Sequence, residues 1–404
     1  MPGALSCATA GKIGVRSHIR RSAANSGAFG SADNLWRHWA ASACVEASSV
    51  LHGGQQRLIS EGGSVADERQ ALLAHWLAQE LGEGVGPLVP ASADASFRRY
   101  WRFAAQGRTL IAVDAPPEHE DSARFVRLAR AFCNAGLNAP EVLAEDLARG
   151  FLVVSDLGRE TYLNALTACQ ASTSVPVSAR ADVLYGDAIT ALIKLQLGLS
   201  TDGLPVYDAA FLRRELDLFR QWLLERLLRV ELSEGESRDL EDLFAQLIDN
   251  ALEQPRVAVH RDFHSRNLML TEVANPGILD LQDAVSGPLT YDLASLLKDC
   301  YLAWPRERVL GWLDDYAEQA YAAGLLGETD RPELVRWFEL MGAQRHLKAA
   351  GIFARLAVRD GKRGYLADLP RTLGYLSELG SLYPELQPLA RLITQRLVPR
   401  LSAR

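Results

Sequence analysis

The chain has 404 residues, 48% of them hydrophobic and 23% charged, which is ordinary globular usage and excludes a fibrous or wholly disordered protein. Its 43 Lys and Arg against 50 Asp and Glu leave a net charge of -7, and since surfaces built on phosphate contacts are basic, nucleic acid is not an expected partner. No run of about eighteen apolar residues occurs, so neither a transmembrane helix nor a membrane partner is expected.

Residues 1–64 are rich in Ala, Ser and Gly and show no sustained apolar period, so they read as a poorly ordered extension. Their Arg/Ser-rich, acid-poor character resembles an organellar targeting segment. A start assigned too early gives the same pattern. No Met lies between Met1 and Met269, and Val65 could be an alternative GTG start.

The body then alternates in a readable way. Asp67–Leu81 spaces Leu72, Leu73, Trp76, Leu77 and Leu81 as an amphipathic helix, stopped by Gly82, Gly84, Gly86 and Pro87. Phe97–Phe103 and Thr109–Asp114 predict a hairpin turning at Ala105–Arg108. A helix over Ser122–Ala135 follows, then short strands at 142–145 and 151–155. From Thr161 the apolar period is helical over Ala181–Gln196, Ala209–Leu228, Ser237–Glu253, Trp304–Ala323, Glu333–Ala357 and Pro370–Leu379. The expected fold class is α+β, with a small mixed-sheet lobe, a linker near 156–160 and a larger helical lobe. The cysteines (Cys7, Cys44, Cys133, Cys169 and Cys300) form no CxxC pair or Cys/His cluster, which argues against zinc or a disulfide framework and fits a reducing cytoplasm.

One stretch interrupts the helices. His260-Arg261-Asp262-Phe263-His264-Ser265-Arg266-Asn267 fits H-R-D-x-x-x-x-N and runs into a strand, and a second strand, Gly277–Leu281, carries Asp280. Phosphoryl transfer needs these parts. One carboxylate orients the acceptor hydroxyl and takes its proton, while a carboxamide and a second carboxylate hold Mg²⁺ against the ATP phosphates. A polar loop whose Asp and Asn only cap turns is the bland alternative. His260 reads as a packed support for the loop, and His264 as a structural hydrogen-bonder rather than a base.

On these residues the chain resembles the aminoglycoside phosphotransferase-like kinases, relatives of the protein kinases that include choline kinases. The likeness covers roughly residues 66–390 and implies a bilobal protein-kinase-like fold, with a nucleotide-binding lobe over 66–158 and a catalytic, acceptor-binding lobe over 159–390. It implies that Asp262 is the catalytic base, that Asn267 and Asp280 are the Mg²⁺ ligands, and that ATP is the donor. It further implies nucleotide contacts from Ser96, Arg98, Val153 and Ser155, with Phe151–Asp156 as the adenine hinge. Asp292, in Tyr291-Asp292-Leu293-Ala294, would support the catalytic loop. Asp283 would share the metal or bond the loop backbone.

Two departures stand out. The phosphate loop is Ala91-Ser92-Ala93-Asp94-Ala95-Ser96 rather than Gly-rich, and Thr109–Asp114 lacks the strand Lys that usually meets the nucleotide. Arg98, Arg99 and Arg102 are the nearest replacements, or a solvated strand face. The longer pattern resembles the anomeric kinases of cell-wall recycling, which phosphorylate N-acetylmuramate and N-acetylglucosamine at the C1 hydroxyl. It is carried by Asp94–Tyr100, Val113–Pro117, Leu281-Gln282-Asp283-Ala284, Gly287–Asp292 and Arg345–Lys348. That resemblance implies a small-molecule sugar acceptor met by His264, Gln282, Arg345 and His346, and no protein partner. The helix 344–362 is basic, which suits an acceptor carrying a carboxylate, or makes a solvated charged face. Another small-molecule kinase and a non-catalytic nucleotide-binding scaffold are the alternatives at this point.

Overall fold

The computed structural model describes residues 63–92, 97–171 and 175–403. Nearly all of the expected extension, and Ser96 with the rest of the phosphate loop from 93, lie outside the described residues. The chain opens with helix α1 (Gly63–Leu81). Strands β1 (Val89–Ser92), β2 (Arg99–Ala105) and β3 (Arg108–Asp114), helix α2 (Ser122–Asn134), and strands β4 (Val142–Asp146) and β5 (Phe151–Ser155) complete the small lobe. The five strands form one antiparallel sheet in the order β1-β2-β3-β5-β4.

The β2–β3 hairpin turns on Gln106 and Gly107, both with positive φ (51° and 73°). Paired left-handed residues match the strand twist, which fixes the register from Arg99↔Asp114 to Ala105↔Arg108. Side chains alternate across β3 and β5. Leu110, Ala112, Phe151 and Val153 meet Leu73, Trp76 and Leu77 of α1, while Ile111, Val113, Leu152 and Val154 meet Phe125, Val126 and Phe132 of α2. Both faces are covered, so these central strands read as continuous apolar runs. At the end of β3, Asp114 is fully buried and accepts from both Arg69 and Arg99.

The large lobe begins with α3 (Tyr162–Ala171), α4 (Val175–Gly198) and α5 (Ala209–Leu218), and α5 continues as a π-helical segment over Phe219–Leu227. Helix α6 (Glu234–Leu252) carries a Ser233–Glu236 capping box at its start. The short strands β6 (Arg256–Val259), β7 (Leu268–Met269), β8 (Gly277–Ile278) and β9 (Val285–Pro288) pair as β6–β9 and β7–β8. Helices α7 (Tyr291–Leu297), α8 (Arg306–Ala322), α9 (Leu334–Arg359), α10 (Leu369–Leu379) and α11 (Gln387–Leu392) follow. Among the described residues no helix is long and apolar enough to cross a membrane.

Three expectations differ in detail. The helix over Ala209–Leu228 changes from α to π after Leu218, where Gly351 of α9 packs against its backbone. The strand ending in Asp280 stops at Ile278, because Asp280 takes the left-handed conformation (φ 64°). Strand β1, helix α3 and helix α11 had no strong apolar period to announce them.

Helix α9 is the spine of the large lobe. A Cβ at Gly351 would lie 2.4 Å from the carbonyl carbon of Leu218, so only hydrogen fits there. Gly351→Ala is expected to cost about 1–3 kcal/mol by overpacking, read as a lower urea midpoint. An unchanged midpoint would mean that the two helices can move apart without loss.

Candidate active site

The catalytic loop leaves the buried strand β6 and enters β7. Its first two amides, of His260 and Arg261, donate to the two oxygens of Asp292 at 2.6 and 2.9 Å. Asp292 sits in the first turn of α7, where a carboxylate is favoured. Burial nonetheless raises its pKa to about 6, against the pull of His260 and the two amide bonds. Further along, Ser265 donates from its amide and its hydroxyl to Asp299. Two buried carboxylates thus hold the loop backbone.

Arg261 adopts φ 78°, a costly conformation for a non-glycine residue that must be held by its surroundings. Its guanidinium donates to Glu215 at 2.5 Å and lies 5.0 Å from the Phe211 ring centroid. Glu215 also receives Lys348 at 3.1 Å, Gln344 at 3.4 Å and the Tyr207 hydroxyl. Burial opposes ionisation of Glu215, but Lys348 and then Arg261 outweigh it and its pKa falls.

Asp262 projects from this fixed loop. Burial alone would raise its pKa, but the cations led by Lys348, with Arg261 and Arg345, hold it below the ordinary carboxylate range. It is therefore charged at neutral pH. Its carbonyl oxygen accepts from the His264 amide (3.0 Å) and from Asn267 Nδ2 (3.1 Å). Asn267 Nδ2 is also 3.5 Å from Asp280, and the Leu279 amide donates to the Asn267 carbonyl at 2.9 Å. Asp262, Asn267 and Asp280 are thus gathered at one place. Oxygen donors from a carboxylate and a carboxamide fit Mg²⁺, which is typically held by one or two protein ligands plus phosphate oxygens. Among the described residues no group of three His, Cys, Asp or Glu forms an all-protein metal cage.

The β7–β8 hairpin, which Asn267 and Asp280 flank, is bonded across to the small lobe and its connection. The Ile278 amide donates to the Asn138 carbonyl (2.7 Å) and the Leu270 amide to that of Glu160 (2.8 Å).

The other sequence-derived residues divide. Gln282 donates to Asp280 at 2.5 Å, and its buried Oε1 has no hydrogen-bond partner. Of the three strand arginines, Arg99 is bound to Asp114, and Arg102 to Asp156 (2.6 and 2.9 Å) and the Gly158 carbonyl. Arg98 lies just before β2. It is buried and paired with Glu120 at 2.8 Å, and its charge interacts with Asp280. Arg345 is buried beside Cys300 and contributes to the field on Asp262. His264 packs edge-on against Tyr301, and its Nδ1 has no partner.

Two expectations need correction. Val153 does not reach the cleft, because its side chain faces α1 and its backbone is paired between Ala112 and Ala144. His346 is fully buried, stacked on Tyr375 with its Nε2 on the Lys298 carbonyl, and so packs the lobe rather than meeting a substrate. Ser155 is tied by its amide and its Oγ to the Glu141 backbone, which closes the strand end. Sequence reading missed Glu215 and Asp299. Glu215 had a signal, since it falls on the helical stripe of Leu212, Leu216 and Phe219, where an acid needs a buried cation.

A charged Asp262 on a loop of this form, below a five-stranded sheet, defines a kinase-type phosphotransferase. A family model described as the phosphotransferase enzyme family matches residues 87–334. The N-acetylmuramate/N-acetylglucosamine kinase of Pseudomonas aeruginosa is 47% identical over 310 residues, spanning 76% of this chain and 87% of the relative. The Pseudomonas putida protein of the same description is 42% identical over 339 residues, spanning 81% and 97%. A choline/ethanolamine kinase family protein from Mesorhizobium loti shares the fold, with a TM-score of 0.54 and 18% identity over 80% of this chain and 98% of that one. The chain belongs to the phosphotransferase enzyme family and, within it, to the family of the N-acetylmuramate/N-acetylglucosamine kinases.

Burial holds His264 and His346 neutral, with pKa values lowered from 6.5 to about 4 and about 3. The unfolded chain takes up both protons near 6.5 and the folded chain does not, so stability falls as pH drops from 6.5 towards the folded values. Each contributes a loss on the order of 2 kcal/mol between pH 7 and 5. Urea unfolding at the two pH values checks this. His346→Gln should remove about one share, and an equally steep loss in that variant would assign the dependence elsewhere.

Proposed function

We propose that this chain transfers the γ-phosphoryl group of ATP to the C1 hydroxyl of N-acetylmuramate and N-acetylglucosamine, as a step of peptidoglycan recycling. The observation that carries the chemistry is the ionised Asp262 beside the Asn267–Asp280 pair. The acceptor follows from the identity to kinases of those sugars along nearly their whole length.

Asp262 accepts a hydrogen bond from the anomeric hydroxyl and aims its oxygen at the γ-phosphorus. A carboxylate whose pKa is held low is a poor base for prior proton abstraction. It suits a loose transition state, in which the proton leaves late, as the new P–O bond forms and the bond to ADP breaks. An anomeric hydroxyl is more acidic than an ordinary alcohol, which helps that transfer. Asn267 and Asp280 would hold Mg²⁺, whose charge offsets that of the phosphates. With no Lys on β3, Arg98 is the cation available to the phosphates from the small lobe, and Glu120 steadies it as a paired acid.

Asp262→Asn keeps the shape of the site but removes the proton acceptor. Turnover should fall roughly 10²- to 10⁴-fold while ADP affinity, measured by calorimetry, stays close to that of the wild type. Loss of nucleotide binding together with turnover would assign Asp262 a structural role. The acceptor is checked by phosphorus NMR of the product, where a sugar 1-phosphate is expected. Phosphate on kanamycin alone would overturn the amino-sugar reading.

A further inference from the structure

Helix α9 carries a stripe of cations leading outward from Asp262. Arg345, Lys348, Arg355 and Arg359 share one face of an α-helix, with Ile352 between the inner and outer pairs. At the inner end Arg345 and Lys348 are buried, and Lys348 is committed to Glu215 and the Tyr291 hydroxyl. At the outer end Arg359 is exposed and spent on Asp360, with its Nε and a terminal nitrogen bonded to the two carboxylate oxygens at 2.6 and 2.9 Å. Arg355 lies between them and has no such partner. It is half-buried, and its Nε is sealed from solvent without a hydrogen bond. Among the described residues no carboxylate forms an ion pair with it; Asp360, the acid that acts on it most, is engaged by Arg359. Burial, and then the like charge of Arg359, push its pKa down. A guanidinium in that position is costly until an anion meets it.

We propose that Arg355 is the receptor for a carboxylate on the acceptor sugar, and therefore the residue that favours N-acetylmuramate over N-acetylglucosamine. The inference rests on the amino-sugar reading above. The two sugars differ by a lactyl ether on C3, which adds one carboxylate. With the anomeric oxygen at Asp262, that group hangs away from C1 and must be met at a distance from the reacting atoms. Arg355 stands about 10 Å along the helix axis from Lys348, on the same face. Its planar fork of N–H donors matches a carboxylate in a way that a lone ammonium does not.

The test compares kcat/KM for N-acetylmuramate and N-acetylglucosamine in the full chain, Arg355→Gln and Arg355→Lys. Loss of a charge-assisted hydrogen bond predicts that Arg355→Gln lowers the ratio of the two values roughly ten- to hundredfold, chiefly through KM for N-acetylmuramate. Arg355→Lys should recover part of it. If the Gln variant is inactive on both sugars, the ratio in the Lys variant decides. An unchanged ratio overturns the assignment and leaves the amino-sugar reading standing. A wild-type chain that phosphorylates neither sugar overturns both.

Discussion

Glu215 is one buried carboxylate shared by two cations, and the state of Asp262 depends on that sharing. Arg261 needs an acid to hold a strained backbone, and Lys348 needs one to stay charged out of water. Each partner makes the burial of the others tolerable. Removal of one member of such a group typically costs about 3–5 kcal/mol, because it strands a charge. The result at Asp262 is a carboxylate that stays ionised although it is partly removed from solvent. These side chains link α5, the catalytic loop and α9, so the chemistry of the loop is set by residues far from it in sequence.

The small lobe manages its charge by the same device. Arg98, Arg99 and Arg102 could have formed one cationic strip, but Asp114 and Asp156 draw two of them into structural bonds. Arg98 is kept with Glu120 next to the start of α2. A cation that works beside phosphates must not collapse onto the catalytic carboxylates, and an acid partner on its own lobe restrains it.

The fold was legible wherever one local rule acted alone. The β2–β3 hairpin, α2 and the catalytic loop follow from periodicity, turn residues and a spaced motif, and their limits agree with the structure to within a few residues. Asp292 was legible as a loop support because it sits in a recognisable helix start. What could not be read was set by tertiary packing. Val153 and Leu152 are equally apolar, and only the sheet decides which faces α1. His346 and Arg345 are neighbours in sequence but point about 100° apart on a helix, so one packs against Tyr375 and the other acts on Asp262. The basic helix offered two readings, ligand site or solvated face, and its cations divide by burial. Arg345 and Lys348 are buried at the centre, whereas Arg359 and Lys362 are exposed.

The two bonds from Ile278 to Asn138 and from Leu270 to Glu160 put a seam through the reaction centre. The β7–β8 hairpin, flanked by Asn267 and Asp280, is bonded to Asn138 of the small lobe and to Glu160 of the connection, whereas the backbone before Asp262 is pinned to α7 and α5. Asn267 and Asp280 therefore take their position partly from the small lobe, whereas Asp262 takes its position from the large one.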